Sequence, residues 1–173
     1  LACATYPSYD LNTYYQNYEA LSKDKSSPLW NRALMSTYEP GSTMKPAIAA
    51  AGLEEGVITE TSKFYCSHIY RQFTDTTFKC LGSHGWIDVK NALNQSCNIY
   101  FYETGRLLGI NRMNDYCTRF GLGQKTGVEI NESSGVLAGI AYREAHGGTW
   151  YPGDTVQAAI GQSDNLFTPI QLC

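Results

Sequence analysis

Ser42 and Lys45 stand three residues apart in the string Tyr38-Glu-Pro-Gly-Ser-Thr-Met-Lys-Pro46. On a helix, residues at that spacing share a face, so the hydroxyl and the amine can meet. A serine hydroxyl is a weak nucleophile near neutral pH and needs a base beside it. Lysine serves as that base only when burial or a neighbouring cation depresses its pKa. A helix that begins here adds backbone N–H groups able to stabilise an oxyanion. The chemistry such a pair could do is nucleophilic attack by the serine hydroxyl. A bare Ser-x-x-Lys also arises by chance, as a capping serine followed by a solvent-facing lysine, and the longer string is far more specific.

Ser96-Cys97-Asn98 forms a second constellation at a break between two expected helices. In an extended or turning segment, residues i and i+2 point to one side. Ser96 and Asn98 can then face a cleft with Cys97 turned away, offering a hydroxyl to relay protons and an amide to hold a carbonyl. A third constellation is Cys66, Cys80, His84 and Cys97, with 13, 3 and 12 residues between successive members. Three thiols and an imidazole make a complete tetrahedral set for structural zinc. A Cys66–Cys80 disulfide is the rival reading, and His68 is a cramped alternative ligand.

These residues need elements to position them. Met44, Ala47, Ile48, Ala51 and Leu53 recur at helical spacing, so a helix is expected over Ser42–Gly56, stopped by its glycine. Asp88–Gln95 reads as a short helix capped by Asp88. Ile99–Leu108, Asn111–Phe120 and Gly153–Ile160 read as further helices, the first two closed by Gly109 and Gly121. Residues 59–85 have few apolar runs and read as a loop that something must staple. Residues 5–28, rich in Tyr, Asn, Ser, Lys and Asp, read as an irregular surface run, with more regular structure expected from Pro28. Thr168-Pro169 is a good helix start, yet only one turn follows, and an isolated turn is unstable. The chain therefore reads as a piece of a longer one.

The 173 residues suit one domain with a sizeable core, and a hydrophobic fraction of 43% excludes a disordered chain. With 13 Lys plus Arg against 16 Asp plus Glu and no basic block, no nucleic-acid partner is expected. The longest apolar stretches, Ala47–Leu53 and Gly135–Tyr142, fall short of the roughly 20 residues that span a bilayer. Leu1-Ala-Cys-Ala4 lacks a basic region and does not read as a signal peptide. Scattered acidic residues offer no carboxylate pair for glycosidase chemistry. Cys117 and Tyr100-Phe-Tyr102 read as core, His146 as a loop residue, and Cys3 and Cys173 have no partner by spacing.

Taken together, the strings resemble the transpeptidase domain of class B penicillin-binding proteins, of the elongation or cell-shape branch. The matches run the length of the chain. They are Tyr6-Pro-Ser-Tyr-Asp-Leu-Asn12, Pro28-Leu-Trp-Asn-Arg-Ala33, Tyr38–Pro46, His84-Gly85 and Ala92-Leu-Asn-Gln-Ser-Cys-Asn-Ile-Tyr-Phe-Tyr102. Phe120-Gly-Leu-Gly123, Thr126-Gly127, Trp150-Tyr-Pro-Gly-Asp154, Ala159-Ile-Gly-Gln162 and Thr168-Pro-Ile-Gln-Leu172 follow in order.

The resemblance implies the α/β fold shared by penicillin-binding proteins and serine β-lactamases: a five-stranded sheet with helices on both sides, plus a helical subdomain. Residues 1–173 would be a partial transpeptidase domain, mostly helical and lacking the C-terminal sheet strands. Its parts would be an active-site helix from about 42, a metal-stapled loop over about 59–97 and a helical subdomain over about 88–161. It further implies that Ser42 attacks the D-Ala–D-Ala bond of a peptidoglycan stem peptide, with Lys45 accepting its proton, Ser96 relaying protons and Asn98 binding substrate. β-Lactams would acylate the same serine. A membrane glycosyltransferase would be a partner, and the parent protein would be anchored by an N-terminal helix at the extracytoplasmic face of a bacterial membrane, a compartment where disulfides can form. Some members of this branch carry zinc in this region, with a Cys ligand where Cys97 stands.

One departure matters. The family's third motif, a Lys-Thr/Ser-Gly strand, follows the helix at which this chain ends, so the chain alone is expected to acylate weakly or not at all. Lys125-Thr126-Gly127 is a decoy, read as a helix-to-strand turn. A penicillin sensor or serine β-lactamase fits the outer strings less well. A zinc-stabilised helical module acting only in protein contacts is the reading from another class.

Overall fold

α5 (Asn98–Leu108) lies at the centre of the computed structural model, which describes residues 3–173. Its Ile99, Tyr100, Phe101, Tyr102 and Leu108 are all buried, as expected of a helix that is apolar around most of its circumference. Burying one such side chain stabilises the fold by about 1.5–3 kcal/mol. Gly109, at φ 74°, ends the helix in the left-handed region that glycine adopts without steric cost.

In chain order the preceding helices are α1 (Tyr14–Lys23), α2 (Arg32–Met35) and α3 (Lys45–Glu54). After α3 come strands β1 (Phe64–Cys66), β2 (Ile69–Tyr70), β3 (Phe78–Lys79) and β4 (Gly85–Ile87). Helix α4 (Val89–Asn94) leads into α5, and α6 (Ile110–Arg119), α7 (Ile140–Ala145), α8 (Pro152–Ala159) and α9 (Pro169–Leu172) complete the order. α3, α6 and α8 pack on α5. The fit with α8 is close because Gly105 faces Ala159, where a Cβ would collide with the Ala159 methyl. α6 turns Ile110, Met113, Tyr116 and Cys117 inward at helical spacing, and Cys117 is core as expected.

Helix dominates the described residues, in accord with the expected fold class. α4 carries its expected cap: the Asp88 carboxylate accepts the Asn91 N–H at 2.9 Å. Other expectations are corrected. Within residues 5–28 the chain forms α1, a helix with no buried residue. Its support is local, from the Glu19–Lys23 pair and the edge-on Tyr14 and Tyr18 rings, so no apolar stripe betrayed it. The expected loop over residues 59–85, with the two residues after it, forms two nested antiparallel pairs, β1 with β4 and β2 with β3. Strands of two or three residues are too short to show a period. α7 was not anticipated either, and it buries no residue. The opening Leu1-Ala2 lies outside the described residues.

The terminal turn α9 is stable because it is not isolated. Thr168 and Gln171 cap each other, and the Gln171 amide donates to the Gln124 and Ser134 carbonyls at 2.6 and 2.8 Å. Just before it, Phe167 pairs with Tyr38, which ties this end of the chain to the segment entering Ser42.

Candidate active site

The expected Ser42–Gly56 helix begins one turn late, with a tight 3₁₀ turn over Gly41–Met44 ahead of α3. Ser42 is exposed on that turn, at the end where backbone N–H groups lack helical acceptors. Behind it, the Gly41 N–H donates to the Gly161 carbonyl at 2.9 Å. A Cβ on Gly161 would stand 2.6 Å from the Gly41 nitrogen, so only glycine lets the two backbones meet. The turn that aims Ser42 is thereby fixed to the end of α8.

Lys45, at 1% exposure, is the most deeply buried cation of the core. Its Nζ donates to Ser96 Oγ at 2.9 Å, to the Ser96 carbonyl at 2.8 Å and to Asn98 Oδ1 at 2.7 Å. Ser96 Oγ in turn donates to Ser42 Oγ at 2.9 Å. Among the described residues Lys45 makes no direct hydrogen bond to Ser42. The three acceptors of the Ser96–Asn98 segment draw the amine away, and Ser96 bridges the gap. Burial lowers the Lys45 pKa from its ordinary 10.5, partly opposed by the nearby Cys80 and Cys97 sulfurs.

Ser96 holds its place in a left-handed conformation, φ 51°, unusual for a residue with a side chain and a sign of strain kept for a purpose. As expected, Ser96 and Asn98 face the lysine together while Cys97 is turned away and fully buried. The Asn98 amide is gripped on its other side, donating Nδ2–H to the Lys79 carbonyl at 3.2 Å. The Tyr102 hydroxyl donates to that same carbonyl at 3.3 Å, and burial pushes its pKa up to about 12, so it stays a neutral donor. These two partners were not anticipated. A main-chain carbonyl has no signature in sequence, and Tyr102 reads only as core.

Cys66, Cys80, His84 and Cys97 come together, with one ligand atom from each lying within 4.8 Å of all the others. Cys80 Sγ is 4.0 Å from Cys97 Sγ and 3.7 Å from His84 Nδ1. A tetrahedral ion with bonds of about 2.3 Å separates its ligands by about 3.8 Å, so the set fits zinc. The cysteines are free thiols, with no Cys66–Cys80 bond. His68 stands outside the cluster and contributes only its carbonyl, which accepts the Cys80 N–H at 2.8 Å. Burial works against a Cys80 thiolate, but backbone N–H groups of Gly82, Asn98 and Ile99 outweigh it and lower that pKa. Burial pushes the Cys97 thiol up to about 12, the state a bound cation reverses.

The cluster meets the Ser96–Asn98 segment twice: Cys97 lies between Ser96 and Asn98, and Cys80 Sγ accepts the Asn98 backbone N–H at 3.3 Å. Lys125-Thr126-Gly127 is elsewhere, in an irregular segment rather than the expected helix-to-strand turn, since no strand follows it among the described residues; the Glu132 carboxylate accepts its Thr126 and Gly127 N–H groups at 2.9 and 2.8 Å. His146 ends α7 and is exposed. Cys3 and Cys173 are exposed and take no part.

The family model for the penicillin binding protein transpeptidase domain matches residues 1–173. The peptidoglycan D,D-transpeptidase MrdA of Salmonella typhimurium is 36% identical over 185 residues, covering 99% of this chain and 29% of the relative. The MrdA of Escherichia coli K12 is 33% identical over the same shares. The chain thus spans under a third of the curated relatives it matches. Among solved structures, Pseudomonas aeruginosa PBP2 in complex with WCK 5153 superposes with a TM-score of 0.89 at 36% identity, over 98% of this chain and 41% of that one. Helicobacter pylori PBP2, solved in complex with MreC, gives a TM-score of 0.90 at 29% identity, over 99% and 34%. With Ser42, Ser96 and Lys45 joined in one hydrogen-bonded line, this chain belongs to the penicillin-binding protein transpeptidase family.

Proposed function

We propose that the chain is the acylating part of a serine-type peptidoglycan D,D-transpeptidase that is also acylated by β-lactams. The observation that carries this reading is the hydrogen-bonded line Ser42 Oγ–Ser96 Oγ–Lys45 Nζ, at 2.9 Å per link. With Lys45 charged, donors run from lysine to Ser96 to Ser42. With Lys45 neutral the line inverts, and Ser42 becomes the donor, the polarity that attack requires.

In the first half-reaction Ser42 Oγ bonds to the carbonyl carbon of the penultimate D-alanine of a stem peptide. Its proton passes to Ser96 Oγ, whose own proton passes to the Lys45 amine. The scissile C–N bond then breaks, and the proton returns by the same route to the departing D-alanine amine. In the second half-reaction an amine of a neighbouring stem attacks the ester. That amine loses its proton through Ser96 to Lys45, and Ser42 leaves as it recovers one. Asn98, held by the Lys79 carbonyl, offers its amide to the substrate backbone.

Cys66, Cys80, His84 and Cys97 would hold one zinc ion. When bound, a fully protein-ligated zinc is a structural tether with no open position for water. Its ligands flank and hydrogen-bond the Ser96–Asn98 segment, so metal binding orders the groups that touch substrate. For the whole protein we infer a membrane glycosyltransferase partner and a place at the extracytoplasmic face of a bacterial cell membrane. No helix among the described residues is long and apolar enough to cross a membrane, so the anchor would lie in another part of the protein. The test is labelling of the full-length protein by fluorescent penicillin. Stoichiometric label lost in Ser42→Ala supports the reading, and equal labelling of that variant overturns it.

A further inference from the structure

The hairpin that carries Cys66 presents a second surface on its opposite pleat face. Tyr65 and Trp86 are cross-strand partners there, 57% and 70% exposed, with ring centroids 5.5 Å apart. They edge a cleft of about 410 Å³ that Ile99 and Glu103 of α5 also line. That volume falls in the range of about 300–1,000 Å³ usual for ligand sites. Lys63 and Arg71 line it and have no ion-pair partner among the described residues. The Glu103 carboxylate does not neutralise them, because it is taken up by Arg106 at 2.6 Å and by the Tyr70 hydroxyl at 2.6 Å. Ser67 and Gln72 add uncharged hydrogen-bonding groups.

The Tyr65 and Trp86 rings pack on each other across the β1–β4 pair, yet each leaves more than half of its surface open to solvent. Their faces suit a flat ligand with one apolar side and polar edges. A pyranose ring is such a ligand, with C–H groups on one face and hydroxyl and acetamido groups around its rim. We propose that this cleft is a subsite for the N-acetylated amino-sugar strand of the substrate, with Lys63 and Arg71 receiving carboxylates of the stem peptides it carries. The inference rests on the proposed transpeptidase reading and adds to it the recognition of the sugar backbone. Ile99, which lines the cleft, follows Asn98 in the chain.

The test is calorimetric titration of the full-length protein with N-acetylglucosamine tetramer, alongside penicillin labelling. Binding should weaken at least tenfold in Trp86→Ala and in Tyr65→Ala, return in Trp86→Phe, and be unchanged in Ser42→Ala. Lys63→Ala and Arg71→Ala should leave the neutral tetramer bound while weakening a sugar strand that bears anionic peptides. No binding by the unmodified protein at millimolar tetramer, or unchanged affinity in Trp86→Ala, overturns the proposal. So does self-association that depends on Trp86 without sugar binding, which would make the patch a protein interface. If Ser42 labels but no sugar binds, only the subsite falls. If sugar binds but Ser42 does not label, the transpeptidase reading falls.

Discussion

In the proposed reaction Lys45 has a double task, since as an ammonium it holds Ser96 and Asn98 in place and as an amine it would take a proton. Its three N–H donors meet three acceptors, which favours the charged form, while burial favours the neutral one. The net shift is downward, so the neutral base appears below the ordinary value of 10.5. Acylation by penicillin in the full-length protein should therefore rise with pH as Lys45 deprotonates and level off short of 10.5. A flat profile across that range would contradict Lys45 as the base. Tyr102 tests the other side of the site. Tyr102→Phe removes one hydrogen bond to the Lys79 carbonyl, a loss of about 1 kcal/mol. If that bond orients Asn98, acylation slows by about fivefold while the melting temperature falls by only about 2–4 °C; the same fall with unchanged acylation would mean that Tyr102 only packs.

At the scale of elements, the β1–β4 and β2–β3 pairs are too short to persist alone. Pairs of this size need support from packing or a cross-link. Under the proposed zinc reading, the buried Cys66, Cys80 and Cys97 with His84 would provide the ligands for one, joining the strands to the N-terminus of α5. Stripping metal with a strong chelator should loosen this region and the Ser96–Asn98 turn together. A loss of even about 3 kcal/mol would lower the melting temperature by roughly 6–12 °C. Penicillin labelling should fall in parallel, and zinc should restore both. If the chelated protein keeps both, or one zinc per chain is never found, the metal reading fails. α1 shows the opposite case, an element supported by neighbours within its own sequence and by little else.

At the scale of the molecule, α5 and α8 set the distance between the two halves of the site. α5 begins at Asn98, and α8 ends just before Gly161, on which the Ser42 turn rests. Their close approach depends on Gly105 against Ala159, so Gly105→Val should force them apart. Overpacking of this kind costs about 1–3 kcal/mol, read as a lower thermal midpoint, with Ser42 labelling reduced as well. Unchanged stability would show that the interface yields. Much of this was legible in sequence. The helices α4, α5, α6 and α8 rest on local spacing and caps, which a linear chain carries by itself, whereas Ser42, Lys45, Ser96, Asn98 and the metal set were singled out by residue types in order and by the resemblance those strings carry. The sequence by itself determined which groups could act and which helices would carry them. Only the tertiary structure decided that Lys45 reaches Ser42 through Ser96, that Lys79 and Tyr102 hold Asn98, and that paired strands rather than a loop carry Cys66. Those are contacts between residues far apart in the chain, made by backbone carbonyls and buried side chains whose meeting depends on how the helices pack.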